Sequence, residues 1–390
     1  MSTIIVIADD LTGAAEIGGV AREHGLSVKL VLKPAPGIDW KEDVVIFNSK
    51  TREIPEEEIN VELEKIMQLI PGDNDYLFYK KTDSLLRGQV GAELSFLMQE
   101  TGKKSVLLIP ANPSRNRVIK NGIYYVEDTP VHQTEFRHDP FFPRLKSNVS
   151  GMIDGFSESI VSGGIDWDDL SEKFAIPDVC CEAEIIPILR EHAKPSMLLA
   201  GGRDFFKAIL KEFVTKKASS APHPVELPDK QHFTFGSLAA ANKPALKYIL
   251  AAGFVHFALT ADIIRDPGAY RQWESVITDR CNHFMHTILT SPVKRVSDPA
   301  LIRDLTHALS EITAVMAKSQ LNACHFLITG GKIAEMFCDK MDWNHLDVYH
   351  AWGDGVVSLK SEKSEHIVTI KPGSYKWPGA VLDAVNTHAI

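Results

Sequence analysis

The sequence lacks the features of several protein classes. Its five cysteines include no Cys-x-x-Cys pair, and an odd number in a chain of 390 residues argues against a disulfide framework. Basic residues are too few to balance the acidic ones, 42 against 51, which gives a formal net charge of −9. Nucleic acid is therefore not expected as a partner, because its binding domains are usually basic. An anionic ligand would need a local cluster of positive charge.

Long hydrophobic runs are also missing. The apolar run 4–8 is too short for the core of a signal peptide and follows no basic segment. The most apolar later stretch, 245–264, is interrupted by Lys247 and Asp262, so it does not predict a membrane-spanning helix. We expect a cytoplasmic protein without a membrane as partner.

Familiar nucleotide, acyl-transfer and metal motifs do not occur. A P-loop would need glycine in place of Phe326 and serine or threonine in place of Ile333. No Gly-x-Gly-x-x-Gly follows the first predicted strand, and no Gly-x-Ser-x-Gly elbow is present. At about 100° per residue, Cys281, His283 and His286 would point in different directions from one helix, which disfavours a metal site there.

The composition that remains is typical of a globular α/β protein. Hydrophobic residues make up 44% of the chain, and the length suggests two domains. Strand-like runs alternate with helix-like segments, which predicts mostly parallel sheets flanked by helices. The segment 216–230, rich in proline, serine and lysine, is the predicted linker between domains 1–215 and 231–390. An irregular excursion is predicted for 111–150 and a helix for about 273–289.

Paired carboxylates, Asp9 and Asp10, follow the first predicted strand. They resemble the Asp-x-Asp-x-Thr start of aspartyl-phosphate phosphatases, but alignment on Thr12 puts Ala8 at the nucleophile and so excludes that chemistry. The pair is suited to accept hydrogen bonds from a polyhydroxylated ligand, to act as a base, or to bind a metal. The alternative is that one of them only caps the following helix.

The densest polar segment is 80–88, which contains three cations, a carboxylate and a hydroxyl at the end of a predicted strand. It supplies the local positive charge that an anionic ligand needs. A solvated run of charges is the alternative, but such runs seldom interleave threonine, aspartate, serine and glycine. Arg52, Arg115 and Arg117 could add contacts to an anion, although each alone is typical of a surface residue.

Two glycine turns follow predicted strands in the second half of the chain. They are Gly236-Ser237 and Thr329-Gly330-Gly331-Lys332. Helix N-termini at such positions can bind phosphate or carboxylate, and Lys332 could add charge. The alternative is that the paired glycines only form a tight turn.

Together these motifs resemble the four-carbon acid sugar kinase family. The matching segments are 8–14, 51–52, 80–88 and 121–140. The resemblance implies an N-terminal α/β domain that binds a sugar acid such as threonate, erythronate or 3-oxo-tetronate, and a C-terminal α/β domain that binds ATP. It implies Mg²⁺ as a cofactor, and transfer of the γ-phosphoryl group to the terminal 4-hydroxyl in a cleft between the domains.

The resemblance also implies roles for particular residues. Substrate contacts would come from Asp9, Asp10, Arg52, Lys81, Ser84 and Arg87, with Asp83 or Asp10 as the general base. Nucleotide contacts would come from Ser237, Thr329, Gly330, Gly331, Lys332 and Gly373. The family has an acidic residue and a threonine after the second glycine turn, where this chain has Lys332 and Ile333. No residue is assigned as a metal ligand.

Two other functions stay open at this point. One is a sensor that binds a sugar acid or a nucleotide without catalysis, which the altered segment 329–332 permits. The other is a nicotinamide-dependent sugar-acid dehydrogenase, against which the missing glycine fingerprint counts. A homo-oligomer is also compatible with the sequence.

Overall fold

The computed structural model describes residues 3–35, 37–72, 76–163, 165–214, 225–236, 242–291, 298–373 and 375–386. The chain divides into two compact units, Met1–Ser219 and Ser220–Ile390, which we call the N-terminal and C-terminal units. The division falls within the predicted linker 216–230, of which 216–224 lie outside the described residues.

The N-terminal unit has a sheet in which every neighbouring pair of strands is parallel, in the order β2-β3-β1-β4-β11-β5-β10-β9. Its strands are β1 (Ile4–Ala8), β2 (Val28–Val31), β3 (Val44–Asn48), β4 (Leu77–Lys81), β5 (Ser105–Ile109), β9 (Ile160–Val161), β10 (Phe174–Ala175) and β11 (Met197–Gly201). Strands β1, β3 and β5 are buried along their whole length, as is typical of a parallel sheet covered on both faces.

Helices connect these strands. They are α1 (Leu11–Glu23), α2 (Glu56–Met67), α3 (Val90–Glu100), α4 (Ile185–His192) and α5 (Arg203–Phe213). Alanine and glycine make up much of the buried face of α1, so this helix can lie close to the sheet. Asp10 caps α1, with its Oδ1 accepting a hydrogen bond of 2.7 Å from the amide of Gly13.

The excursion 111–150 is more regular than its sequence predicts. It contains a small antiparallel sheet of β6 (Arg117–Lys120), β7 (Ile123–Val126) and β8 (Thr129–Pro130). Asn121 and Gly122 join β6 to β7 with φ angles of 51° and 69°, the geometry of a tight hairpin turn. Strands of two to four residues are too short for a period to be seen, so the prediction of an irregular segment is wrong in this part.

The C-terminal unit has a mixed sheet in the order β13-β14-β12-β15-β18-β17-β16. The strands are β12 (Gln231–Phe235), β13 (Val255–Ala258), β14 (His286–Thr290), β15 (His325–Thr329), β16 (His345–Ala351), β17 (Val357–Lys360) and β18 (Ile367–Lys371). The first five strands in that order pair in parallel, whereas β17 pairs antiparallel with β18 and with β16. The fold is therefore α/β with mostly parallel sheets, as the sequence predicts.

The helices of this unit are α6 (Lys243–Ala251), α7 (Ala261–Arg265), α8 (Pro267–His283), α9 (Pro299–Ser319), α10 (Gly331–Lys340) and α11 (Gly379–Asn386). The predicted helix at about 273–289 is wrong in its second half, because α8 ends at His283 and β14 begins at His286. No glycine or proline separates the two elements, and a buried strand has no period of its own to mark the change. In the described part of the chain, no helix is long and apolar enough to cross a membrane.

Candidate active site

Three polar loops of the N-terminal unit start at the same edge of its sheet. Ala8, the last residue of β1, lies opposite Asn48 of β3 and Lys81 of β4. The loops that follow these three strands carry the sequence-predicted site residues of this unit, with Lys81 itself the last residue of its strand. Ligands of open α/β sheets bind outside the carboxyl ends of the strands, so this edge is the candidate sugar-acid site.

Arg52 bridges three carboxylates in this site. Its Nε and Nη2 donate hydrogen bonds of 2.8 and 2.9 Å to Asp9, and its Nη1 donates one of 2.6 Å to Asp10. Nη2 also lies 3.8 Å from Oδ1 of Asp83. The arginine therefore ties the loops after β1, β3 and β4 to one another, and most of its donors are already used.

Asp83 lies between two arginines and accepts several hydrogen bonds. Arg87 donates to it from Nε at 2.9 Å and from Nη2 at 2.8 Å, and the backbone amide of Leu85 donates at 3.0 Å. The remaining terminal nitrogen of Arg87, Nη1, donates to Asp139 at 2.9 Å. Asp139 belongs to the excursion 111–150, so this segment forms part of the site.

The carboxyl groups of this cluster differ in their pKa. Burial alone would raise the pKa of Asp83, but Arg87 and Arg52 hold it well below its usual value. For Asp10, burial raises the pKa above its usual value, and the nearby charge of Asp9 adds to the rise against the opposing effect of Arg52. Of Asp10 and Asp83, Asp10 therefore takes up a proton more readily.

Two buried lysines occupy the end of β4. Lys81 Nζ donates to the carbonyl of Thr82 at 2.9 Å and lies 3.5 Å from a carboxylate oxygen of Glu16. Lys80 Nζ donates to Glu93 on α3 at 2.7 Å, and both side chains are fully buried. Lys80 therefore fastens α3 beneath the site, whereas Lys81 lies beside the first turn of α1.

The backbone near the arginines is strained at two positions. Lys50 and Leu86 have φ angles of 58° and 57°, in the left-handed region that residues with a side chain rarely adopt. Lys50 lies two residues before Arg52, and Leu86 directly precedes Arg87. Strain of this kind persists where the surrounding contacts fix the backbone, and it is concentrated at functional sites.

Arg117 and Phe136 also line the candidate site. The sequence indicates Arg117 only as a possible contact to an anion, and it does not indicate Phe136. Arg117 Nη1 donates a hydrogen bond to Oγ of Ser84, and the guanidinium carbon lies 5.5 Å from the centre of the Phe136 ring. The signal that could have found them is the combination of arginine, aromatic and proline residues in a long segment next to the predicted site.

The C-terminal unit has a comparable edge. Phe235, Thr329 and Lys371 end neighbouring parallel strands in register. The amide of Gly236 donates to the carbonyl of Thr329 at 3.1 Å, and that of Gly330 donates to Lys371 at 2.9 Å. Gly236 and Gly330, the first glycines of the two predicted turns, therefore lie side by side at the carboxyl ends of the strands.

Gly330 gives this edge the geometry of an anion site. It caps α10 with a φ of 111°, which favours glycine, and Gly331 is the first residue of the helix. The free amides and the dipole at this helix start favour negative charge. Oγ1 of Thr329 is buried and, within the described residues, has no hydrogen-bond partner.

The other residues of the predicted nucleotide site each have different neighbours in the structure. Lys332 forms an ion pair of 3.0 Å with Glu335 one turn along α10. Ile333 packs against Gly236, where an added Cβ would lie 2.1 Å from its Cδ1. The carbonyl of Gly373 accepts a hydrogen bond of 3.2 Å from Asn242. The prediction for Ser237 lies outside the described residues.

Lys371 is a buried cation that was not among the predicted site residues. Its Nζ donates to the carbonyls of Pro372 and Tyr375, both at 2.6 Å, and lies 5.8 Å from the ring of Trp377. Burial lowers its pKa to about 7. In the described ranges, no group of three or more histidine, cysteine, aspartate or glutamate side chains is arranged to hold a metal ion.

Comparisons with known proteins find one matching family model and several similar kinases. Residues 4–183 match the family model described as a sugar-binding N-terminal domain. The D-threonate kinase of Salmonella typhimurium is 25% identical over 342 residues, 82% of this chain and 77% of the relative. The 3-oxo-tetronate kinase of Haemophilus influenzae is 21% identical over 400 residues, 95% of this chain and 96% of the relative.

Solved structures share the fold. A crystal structure from Salmonella typhimurium LT2 has a TM-score of 0.79 at 15% identity and covers 100% of this chain and 99% of its own. A Haemophilus influenzae protein has a TM-score of 0.71 at 19% identity and covers 99% of both chains. The first half of the chain is thus similar to a sugar-binding N-terminal domain, and most of its length is similar to kinases that act on four-carbon sugar acids.

Proposed function

We propose that the protein transfers the γ-phosphoryl group of ATP to the terminal 4-hydroxyl of a four-carbon sugar acid such as threonate, erythronate or 3-oxo-tetronate. The observation that carries this proposal is the cluster of Asp9, Asp10 and Asp83 around Arg52 at one sheet edge. Carboxylates accept hydrogen bonds from several hydroxyls at once, and the arginines offset the negative charge. The names of the relatives support the same chemistry.

The N-terminal unit binds the sugar acid in this proposal. Asp9 and Asp10 accept hydrogen bonds from hydroxyl groups, and Arg52 holds the two carboxylates at a fixed spacing. Lys81, Ser84 and Arg87 complete the substrate contacts. Catalysis then rests on positioning and charge stabilisation, which dominate phosphoryl transfer.

Asp10 is the better candidate for the general base. Asp83 accepts two hydrogen bonds from the Arg87 side chain and one from Leu85, so its charge is stabilised and its basicity is low. The side chain of Asp10 is 25% exposed, and burial raises its pKa. Asp83 then serves to hold Arg87 and Arg52 in place.

The C-terminal unit binds ATP in this proposal. Thr329, Gly330 and Gly331 lie at the start of α10, which can accept phosphate, with Lys332 in its first turn. Gly373, whose carbonyl accepts a hydrogen bond from Asn242, completes the nucleotide contacts in this proposal. Mg²⁺ would neutralise phosphate charge. It commonly takes one or two carboxylates together with phosphate oxygens and water.

An assay of ADP release from Mg-ATP with a panel of four-carbon sugar acids tests the proposal. We expect one or more acids to stimulate release, and phosphorus NMR of the product to show a phosphate ester on the terminal carbon. If no acid raises ADP release above the background, the kinase assignment is wrong. Tight calorimetric binding of an acid without turnover would instead support a sensor.

That the protein forms a homo-oligomer stays a prediction.

A further inference from the structure

The arginines of the N-terminal site differ in how far their donors are used. Arg52 donates to Asp9 and Asp10 from all three of its nitrogens, and Arg87 donates likewise to Asp83 and Asp139. In such pairs the charge of the guanidinium is matched, and its donors already make hydrogen bonds to carboxylates. Neither arginine can therefore bind a substrate carboxylate through two parallel hydrogen bonds without breaking an existing one.

Arg117 has no such partner. Within the described ranges, its side chain donates a hydrogen bond to the hydroxyl of Ser84 and lies over the ring of Phe136, and no carboxylate lies within ion-pair distance; its charge acts on Asp83 only from farther away. Ser84 accepts the hydrogen bond from Arg117, so its own hydroxyl hydrogen can be donated elsewhere. Adjacent to each other, the two side chains therefore offer free guanidinium donors and one hydroxyl donor.

The charge of the site points the same way. Four carboxylates, of Asp9, Asp10, Asp83 and Asp139, face three guanidinium groups. Two of these, Arg52 and Arg87, pair with the carboxylates directly, and the third, Arg144, lies close enough for its charge to act on Asp83 and Asp139. The charge of Lys81 is matched by Glu16 at 3.5 Å. Without a further cation, this cluster would repel an anionic substrate.

We propose that Arg117 binds the carboxylate of the sugar acid and that Ser84 donates a second hydrogen bond to the same group. This inference rests on the proposed function and names the residue that makes the site select an acid. The hydroxyls of the substrate then lie toward Asp9 and Asp10, which accept hydrogen bonds but would repel a carboxylate.

Arg117 is held ready for this role. Its backbone amide donates to Asn112 at 3.1 Å and its carbonyl accepts from the same residue at 2.9 Å. The Phe136 ring supports one face of the guanidinium, which fixes the plane of the fork. Little ordering is then required when the substrate binds, because the donors are already oriented.

Steady-state kinetics with a sugar acid and with its amide test the proposal, because the two compounds share every hydroxyl and differ in charge. Arg117→Gln should raise the KM for the acid about 10- to 100-fold, with a smaller change in kcat and the KM for the amide unchanged within about twofold. Arg137→Gln is the matched control: it removes an exposed arginine of the same segment and should leave both KM values unchanged.

Two results would overturn the proposal: an unchanged KM of Arg117→Gln for the acid, or an equal loss with acid and amide, which would indicate a structural role. If Arg117→Gln does not fold, Arg117→Lys and Phe136→Leu replace it in the test. Each should raise the KM for the acid about 3- to 10-fold and leave the KM for the amide unchanged.

If the wild type turns over no acid, the proposed function fails, but calorimetry of acid binding still tests the role of Arg117. Equal affinities of the wild type and the Arg117 variant for the acid would overturn that role.

Discussion

Arg52 and Asp9 face each other through two parallel hydrogen bonds, from Nε to Oδ2 at 2.8 Å and from Nη2 to Oδ1 at 2.9 Å. Only 16% of the arginine side chain and 1% of the aspartate are exposed. Because the same arginine also donates to Asp10, it sets the distance between two neighbouring carboxylates. A pair this deeply buried has to be complete, since either charge alone is costly to bury.

Replacement of Asp9 by asparagine should therefore destabilise the protein. Asp9→Asn leaves the shape of the side chain but removes the charge that matches Arg52, and we expect the free energy of unfolding to fall by about 3 kcal/mol. Urea denaturation at neutral pH, analysed at constant m-value, measures this change.

Lys65→Gln provides the control for this measurement. Lys65 pairs with Glu62 at 2.6 Å, but its side chain is 51% exposed. An exposed ion pair of this kind contributes little, so we expect a change within about 0.5 kcal/mol. Equal effects of the two substitutions would show that Arg52 does not depend on Asp9.

The assignment of the general base predicts a difference between two aspartates. Asp10→Asn should lower kcat about 100- to 10,000-fold, because a general base contributes about that much. Asparagine can still cap α1, so the helix start should be preserved. Asp83→Asn should act mainly through substrate KM and stability, since Asp83 holds Arg87.

The pH profile gives an independent measure of the same base. Burial raises the pKa of Asp10, and only its ionised form accepts a proton. As the pH falls through this raised pKa, kcat should decrease, and the decrease should begin above the ordinary aspartate value of 3.8. A kcat that is flat down to that value, or an Asp10→Asn enzyme with wild-type kcat, would remove Asp10 from the proton transfer.

Local sequence is sufficient to predict which parts of the candidate site lie at the end of a strand. Asp9, Asp10 and the segment 80–88 are of this kind, because a polar cluster after a buried strand lies at the sheet edge whatever the rest of the chain does. The parallel sheets were predicted for the same reason, since strand and helix patterns alternate along the chain.

The contacts between segments that are far apart in the sequence could not be predicted from local patterns. Arg87 meets Asp139, which is 52 residues away, and Arg117 meets Ser84 across 33 residues. These pairs depend on how the excursion 111–150 folds back, which no local pattern encodes. Lys332 is a similar case: its charge suggests a phosphate contact, and the local sequence does not predict the ion pair that it also makes with a carboxylate one helical turn away.

Gly330 should be intolerant of alanine for conformational reasons. Its φ of 111° is disfavoured for a residue with a Cβ, yet an added Cβ would meet no atom within 4 Å. Gly330→Ala should therefore lower the free energy of unfolding by roughly 1–3 kcal/mol through the backbone alone, and raise the KM for ATP. Urea denaturation and ATP titration measure the two effects.

Gly379→Ala separates conformation from crowding. An added Cβ at Gly379 also meets no atom within 4 Å, but its φ lies outside the positive range, and it is the first residue of α11. We expect this substitution to leave stability unchanged or to raise it slightly. Equal losses at the two glycines would contradict the argument from φ.

Lys371 predicts a pH dependence of stability in the alkaline range. Burial lowers its pKa to about 7, against an ordinary 10.5. Between these values the unfolded chain binds more protons than the folded one, so the free energy of unfolding should rise with pH. Lys371→Met should abolish this rise, whereas Lys376→Met, an exposed lysine nearby, should keep it. Urea unfolding midpoints measured at about pH 6.5, 8 and 9.5, which sample most of the interval between the two pKa values, test this prediction. The same slope in both variants would show that Lys371 is not the titrating group.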